Sequence, residues 1–233
     1  MDNQKLISIP ELFKTTWDLY VPRMWKMFLL MLVSMVGMVG IMLVFFGIGF
    51  LLFLSAQTTS IYYFISALFF LVGILLVVLL SLPFQVALRL YLKEEYKDKN
   101  IKELFILGFS QTASYFWITF LRSIIICFGL ILFIIPGLMF SIWFAFSEYT
   151  FIFEGKRGMS ALKRSKELAK GYWWAIFGRM LPLFFISMII SSITRLGFIF
   201  NSLFMLPFTV IYVLVIYEDL KKIKDTIPPT SVV

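Results

Sequence analysis

Long apolar runs separated by short polar segments form the hydrophobic pattern of this chain. The first run extends from Met27 to about Ser55, and the second from Ile61 to Leu88. A third stretch, from Tyr115 to Phe153, is longer than one membrane crossing requires, and the turn dipeptide Pro136-Gly137 predicts a break within it. Because a helix crosses a bilayer with about 20 mainly apolar residues, these segments predict four transmembrane helices.

Two further runs predict a fifth and a sixth transmembrane helix. They extend from Tyr172 to about Ile193 and from Gly197 to Tyr217. The connections after the first, third and fifth helices are short, so we predict three hairpins. The predicted fold class is all-α, a polytopic membrane protein with a single membrane domain.

A segment with the spacing of an amphipathic helix precedes each hairpin. The apolar stripes are Ile9, Leu12, Phe13, Thr16 and Tyr20, then Ile101, Leu104, Phe105, Gly108, Phe109 and Thr112, then Ala161, Leu162, Ser165, Leu168 and Ala169. The predicted order is an amphipathic segment (1–26), the first hairpin (27–88), a charged linker with an amphipathic helix (89–114), the second hairpin (115–154), a basic amphipathic helix (155–171), the third hairpin (172–217) and a tail (218–233). We expect these helices at the cytoplasmic face, packed on the bundle, in contact with lipid, or both.

The distribution of basic residues predicts the orientation. Eighteen of the 21 Lys and Arg residues lie in the N-terminal segment, the second and fourth connections and the tail. Since basic residues mark cytoplasmic loops, both termini are predicted to be cytoplasmic, in a multi-pass protein of the cell membrane. The same distribution accounts for the formal net charge of +8, so we expect no nucleic-acid partner.

Composition excludes several classes of enzyme. The chain is 61% hydrophobic and 15% charged, whereas soluble domains are usually about 45–50% apolar and about 25% charged. It has no histidine and a single cysteine, Cys127, which excludes Ser-His-Asp and Cys-His hydrolases, histidine-ligated zinc and an intramolecular disulfide. No P-loop, HExxH or GxSxG motif is present. We therefore predict no catalytic residues, no metal site and no cofactor.

Two groups of residues are predicted to contact the membrane surface. Tryptophan prefers the headgroup layer, and four tryptophans lie where predicted helices enter the membrane: Trp25, Trp117, Trp173 and Trp174. A basic face on the third amphipathic segment is suited to anionic lipid headgroups; its residues are Lys163, Arg164, Lys166 and Lys170. The predicted partners are membrane lipids, including anionic ones, and other membrane proteins.

Three charged residues lie inside predicted spans, where ionisable groups are costly and usually face a partner or a polar cavity. Arg122, Glu148 and Arg179 each lie six or seven residues from a cytoplasmic end, a depth of about 10 Å. We expect them to converge in one layer of the bundle. Three interpretations remain open: an anion site with one positive charge in excess, an ion-paired clasp that ties spans three, four and five, or arginines that snorkel to the headgroups.

One region of the sequence resembles a known family. Its residues are Ile135-Pro136-Gly137-Leu138, Glu154-Gly155, Ala161-Leu162-Lys163-Arg164-Ser165, Leu168 and Lys170-Gly171-Tyr172-Trp173. They resemble the signature of the membrane domain found beside some glycerophosphoryl diester phosphodiesterases, and of related standalone six-span bacterial proteins. The segment from Ile9 to Trp25 is similar to the opening of that family.

The resemblance implies an architecture more than a chemistry. In the fused relatives, catalysis belongs to a separate soluble barrel that uses histidines and metal-binding carboxylates. This sequence has no histidine, so the resemblance does not make it a phosphodiesterase. It implies a role in envelope upkeep or beside an export system.

Three functions are compatible with these observations. The first is a non-enzymatic membrane protein that organises lipids or supports an envelope or transport complex. The second is a permease or transporter of a small or amphiphilic solute, which would need a water-accessible cavity reaching Arg122. The third is a membrane-embedded enzyme, for which the sequence offers no reactive set of residues.

Overall fold

The chain is an all-helical integral membrane protein. A computed structural model describes residues 6–55, 61–193 and 197–226, and no β-strand occurs within those ranges. Six helical stretches are long and apolar enough to cross a membrane, in agreement with the number predicted from the sequence. They are Ile9–Ser55, Ile61–Leu90, Ile101–Leu132, Ile134–Glu154, Trp173–Ser192 and Asn201–Thr226.

Several of these stretches contain more than one helix. The helices are α1 (Ile9–Tyr20), α2 (Met24–Ser55), α3 (Ile61–Leu90), α4 (Ile101–Leu132), α5 (Ile134–Trp143), α6 (Ser147–Glu154), α7 (Met159–Ala169), α8 (Trp173–Ile193), α9 (Gly197–Phe200) and α10 (Leu206–Thr226). Short 3₁₀ turns occupy Val21–Arg23 and Glu94–Tyr96, and a π-helical turn occupies Asn201–Met205. The predicted polar connection 57–60, Lys5 and Arg195 lie outside the described residues.

Helices α6 and α10 occupy the centre of the bundle. Half of the residues in an apolar 18-residue stretch are buried in the span that contains α6 (50%), and 61% are buried in the span that contains α10. In the other four spans the share is 11–17%. In α6 every residue from Ser147 to Ile152 is buried. The other four spans keep most of their apolar stretch exposed.

The second amphipathic segment is not a separate helix. Residues 101–132 form the single helix α4, which joins the stripe beginning at Ile101 to the third span. In the third segment the stripe is fully buried against the bundle: Ala161, Leu162, Ser165, Leu168 and Ala169. In α1, Leu12, Thr16 and Tyr20 are buried, and the helix packs along α10.

The break in the long third run lies earlier than predicted. The chain leaves helical geometry at Phe133 (φ −161°, ψ 148°), between α4 and α5. Pro136 lies in the first turn of α5, where the missing amide hydrogen costs nothing. Gly137 instead provides close packing, because a Cβ there would lie 2.4 Å from side-chain atoms of Leu130 on α4.

A buried ion cluster beside an intramembrane cavity

Glu148 is the centre of a buried ion cluster. Its side chain is 5% exposed, and its Oε1 forms a 2.6 Å ion pair with Nη1 of Arg122 on α4. Its Oε2 pairs with Nη2 of Arg89 at the end of α3 and accepts a 2.8 Å hydrogen bond from the Tyr115 hydroxyl. The carboxylate lies in the first turn of α6, where the helix dipole also favours a negative charge.

Arg179 does not join this cluster, although its depth placed it in the same predicted layer. Its guanidinium donates to the backbone carbonyls of Leu6 (2.8 Å) and Ile7 (2.6 and 2.9 Å). Asp219 on α10 accepts the Ile7 amide at 2.8 Å. Arg179 and Asp219 therefore clamp the backbone ahead of α1 against α8 and α10. Sequence depth fixes a level in the membrane but not the direction in which a side chain points, which explains the difference.

Arg89 was not among the predicted site residues, because it ends an apolar run and reads as part of the cytoplasmic linker. A signal for it existed in the sequence. Ser81, Gln85 and Arg89 recur every four residues and therefore share one face of α3. A polar stripe of this kind in a transmembrane helix indicates a face directed at protein or a cavity.

The surroundings of Arg89 leave part of its guanidinium without a partner. Nη2 pairs with Glu148 and Nη1 donates to the Gln85 carbonyl at 3.1 Å. The rings of Tyr115 and Tyr149 lie 5.6 and 5.8 Å from the guanidinium carbon, within cation–π range. The buried Nε has no hydrogen-bond partner within the described residues.

The cluster carries one positive charge in excess. Arg89 and Arg122 are 12% and 25% exposed at their side chains, and among the described residues only Glu148 forms ion pairs with them. Burying an unbalanced charge is unfavourable unless something nearby compensates it. This layer of the protein is therefore suited to an anion.

A cavity of about 510 Å³ adjoins the cluster at Arg89. It lies between α2, α3, the π-helical turn and α10, and its volume is in the range typical of ligand pockets. Its polar lining includes Ser34, Ser81, Gln85, Asn201, Ser202 and Thr209, and its apolar lining includes Met31, Met38, Phe84, Leu206 and Val210. The cavity reaches Arg89, and Arg122 is not in its lining.

Three of the four predicted tryptophan anchors have largely exposed side chains. Trp25 is 68% exposed, Trp117 52% and Trp174 78%. Trp173 is half-buried and stacks on Phe177 at a centroid distance of 5.3 Å. Its indole nitrogen is buried without a hydrogen-bond partner in the described part of the chain. Trp25, Trp117 and Trp174 therefore expose more of their rings than Trp173 does.

The predicted basic helix is partly neutralised. Arg164 pairs with Glu154 at 3.1 Å and with Asp225 at 2.7 Å. Partial burial lowers the pKa of Arg164, but its hydrogen bond to Asp225 and the Glu154 carboxylate outweigh this and raise that pKa above its usual value. Lys166 lies 4.4 Å from the Trp143 ring centroid. Lys163, Lys166 and Lys170 are exposed and can reach headgroups.

The interruption between α5 and α6 positions Glu148. Ser165 on α7 accepts from the Phe146 amide at 3.1 Å and donates to the Trp143 carbonyl at 2.7 Å. One hydroxyl thus satisfies backbone groups on both sides of the break. Irregular backbone at membrane depth requires such compensation, and here it directs the start of α6 towards Arg89 and Arg122.

Comparisons of the chain with family models, with curated proteins and with solved structures find no match. The ion cluster and the cavity are therefore the features that bear on function.

Proposed function

We propose that this integral membrane protein binds a phosphate-bearing amphiphile, with the phosphate at Arg89 and the apolar part in the adjoining cavity. The observation that carries the proposal is the position of Arg89. It belongs to a cluster with one excess positive charge and also lines a cavity of about 510 Å³. Binding an anion there would balance the charge.

The lining of the cavity matches such a ligand in chemistry. Arg89 and Gln85 lie together at one end, and arginine recognises phosphate through its planar fork of donors. Met31, Met38 and Phe84 offer flexible and aromatic apolar surface to a hydrocarbon chain. The hydroxyl and amide groups from α2, α3 and the π-helical turn supply hydrogen bonds to ester or glycerol oxygens.

The proposed role is non-enzymatic: the protein organises lipids or supports an envelope or transport complex in the cell membrane. The six helices form three hairpins, each preceded by an amphipathic segment at the cytoplasmic face, and both termini are cytoplasmic. Before the second hairpin this segment is the first part of α4. Support comes from the basic residues on one side of the spans and from the exposed rings of Trp25, Trp117 and Trp174. The proposed partners are anionic membrane lipids and other membrane proteins.

Membership of the family of glycerophosphoryl diester phosphodiesterase membrane domains also remains a proposal. It is supported by the sequence signature and by the position of one signature residue, Ser165. That serine bridges the break between α5 and α6, so the motif has a structural reason to include a hydroxyl at this position.

A permease is the second candidate function. Two interrupted helices favour it, but the cavity reaches Arg89 and not Arg122, the residue that this function was expected to need. The fourth span is broken between α5 and α6, and the sixth contains the π-helical turn that lines the cavity at Asn201 and Ser202. Interrupted spans around a central cavity are frequent in transporters. A permease would move the ligand across proteoliposomes, whereas a lipid-organising protein would retain it.

The test is native mass spectrometry of protein extracted with its own lipids. Wild type is compared with Arg89→Gln, which removes the excess charge but leaves Glu148 paired with Arg122 and Tyr115. The matched control is Arg157→Gln, since Arg157 is exposed and lies outside the cavity lining. We expect a phosphate-bearing adduct in wild type and in the control, and its loss in Arg89→Gln.

The mass of the adduct separates a lipid from inorganic phosphate. Equal adducts in wild type and in folded Arg89→Gln would contradict the proposal, as would an adduct without phosphorus.

A further inference from the structure

A second cavity neighbours the first. It has a volume of about 520 Å³ and is lined by residues of α1, the 3₁₀ turn that follows it, the segment after α3, α6 and α10. Five of its lining residues are charged: Arg23, Lys93, Glu94, Glu95 and Glu218. The cavity beside the ion cluster, by contrast, has a single charged lining residue, Arg89. We call the cavity at Arg89 the apolar cavity and the second one the charged cavity.

Lining residues from two parts of the chain show that the cavities are neighbours. On the α3 side, Ser81, Gln85 and Arg89 line the apolar cavity, and Lys93, four residues further, lines the charged one. On α10, Leu206 and Val210 line the apolar cavity, whereas Leu214 and Glu218 line the charged one. On α10 the change from one cavity to the other falls between Val210 and Leu214, a rise of about 6 Å along the helix, whereas on the other side it falls across the end of α3 at Leu90.

The charges of the second cavity have both signs. Arg23 pairs with Glu94 at 2.8 Å, and its buried Nε has no hydrogen-bond partner among the described residues. Lys93 lies 6.0 Å from the Phe153 ring centroid. In the described ranges, neither Lys93 nor Glu218 has an ion-pair partner within 4 Å. The cavity thus offers unpaired groups for an anion and for a cation.

From this arrangement we infer that the ligand is a zwitterionic aminophospholipid that occupies both cavities. This inference rests on the proposed function, because it keeps the phosphate at Arg89. The acyl chains extend into the apolar cavity, the phosphate lies between Arg89 and Lys93, and the ammonium group is bound by Glu218. Polarity increases from the apolar cavity to the charged one in the same order as along such a lipid, from tail to headgroup.

The test uses nanodiscs that contain equal amounts of phosphatidylethanolamine and phosphatidylglycerol, followed by native mass spectrometry of the released protein. Wild type should retain phosphatidylethanolamine in preference. Glu218→Gln should reduce that preference about tenfold, the effect of one charge-assisted hydrogen bond. Glu218 is exposed, so this change should not disturb folding. Glu167→Gln, on the exposed face of α7, is the matched control and should behave as wild type.

Two further arms separate the possible failures. Arg89→Gln should lose both lipids, whereas Glu218→Gln should lose only the discrimination between them. Equal retention of both lipids by wild type would overturn the ammonium site and leave the phosphate site standing. Retention of neither lipid would overturn both proposals.

Soluble glycerophosphoethanolamine tests the role of the apolar cavity, because it carries the same headgroup without acyl chains. We expect it not to displace bound phosphatidylethanolamine. Complete displacement at equimolar concentration would contradict a ligand that spans both cavities.

Discussion

The centre of the bundle and its outermost helix pair are stabilised by different interactions. At the centre, α6 is surrounded by polar contacts: the ion pairs of Glu148 and the two hydrogen bonds of Ser165. The halves of α2 and α3 nearest to their connection meet mainly through aromatic rings, such as Phe46 with Phe70 at a centroid distance of 5.1 Å. The Ser66 hydroxyl also joins those halves by donating a 2.7 Å hydrogen bond to the Gly49 carbonyl.

This difference follows from the solvent. In a membrane, apolar side chains gain little by leaving lipid for protein, so close packing and polar contacts decide which helices associate. The polar residues of α6 specify an interior position, because each would be costly in hydrocarbon. The outer pair depends on the fit of small residues against rings. Substitutions should therefore have large effects at the centre and smaller, geometry-dependent effects in the outer pair.

The largest effect is expected for Glu148→Gln. This variant is nearly isosteric but leaves Arg89 and Arg122 buried without a counter-charge. Breaking a buried ion pair costs about 3–5 kcal/mol, so the yield of folded, monodisperse protein and its unfolding temperature in detergent should fall sharply. Glu103→Gln, at an exposed position, is the control. An unchanged unfolding temperature for Glu148→Gln would show that the cluster does not hold the centre together.

A smaller loss is expected for Ser165→Ala. The Phe146 amide and the Trp143 carbonyl would lose the shared hydroxyl at the break between α5 and α6, which costs about 2 kcal/mol for buried groups. Hydrogen exchange of residues 143–149 should accelerate in this variant. Ser110→Ala is the control, because the Ser110 hydroxyl bonds within its own helix at an exposed position. Equal exchange in both variants would indicate that the bridge is dispensable.

The smallest effect is expected in the outer pair, where Gly73→Ala and Gly40→Ala form a matched comparison. A Cβ at Gly73 would lie 2.8 Å from the Phe45 Cβ, whereas no heavy atom lies within 4 Å of one at Gly40. Overpacking at Gly73 should cost about 1 kcal/mol, and Gly40→Ala should be neutral or stabilising, since alanine favours helices. Thermal unfolding of the two variants measures the difference; identical values would contradict close packing of α2 on α3.

The number and approximate positions of the spans were predictable because hydrocarbon thickness sets helix length. The finer geometry was not. The interruption between α5 and α6 carries no glycine or proline at Phe144–Phe146, and it depends on Ser165, which is distant in sequence. The break at Phe133 likewise precedes Pro136, the residue that suggested it.

The candidate site was partly predictable for a related reason. Counting residues from the membrane entry gave Arg122 and Glu148 similar depths, and the structure brings these two side chains together. The same count included Arg179, which binds the backbone of Leu6 and Ile7 instead. Arg89 could have been predicted only from the four-residue spacing of polar residues along α3. That signal is easily missed when the span is ended at the last apolar residue, because Arg89 is then counted as the start of the linker.

The most direct test of the phosphate site is a dipolar distance measurement between nitrogen and phosphorus by solid-state NMR. Protein labelled with ¹⁵N-arginine would be studied in native-lipid nanodiscs, in wild type and in Arg89→Gln. We predict a guanidinium signal dephased by ³¹P at about 4 Å, the distance of a charge-assisted contact, and its absence in the variant. A wild-type spectrum without that signal, or the same signal in Arg89→Gln, would contradict a phosphate-bearing ligand at Arg89.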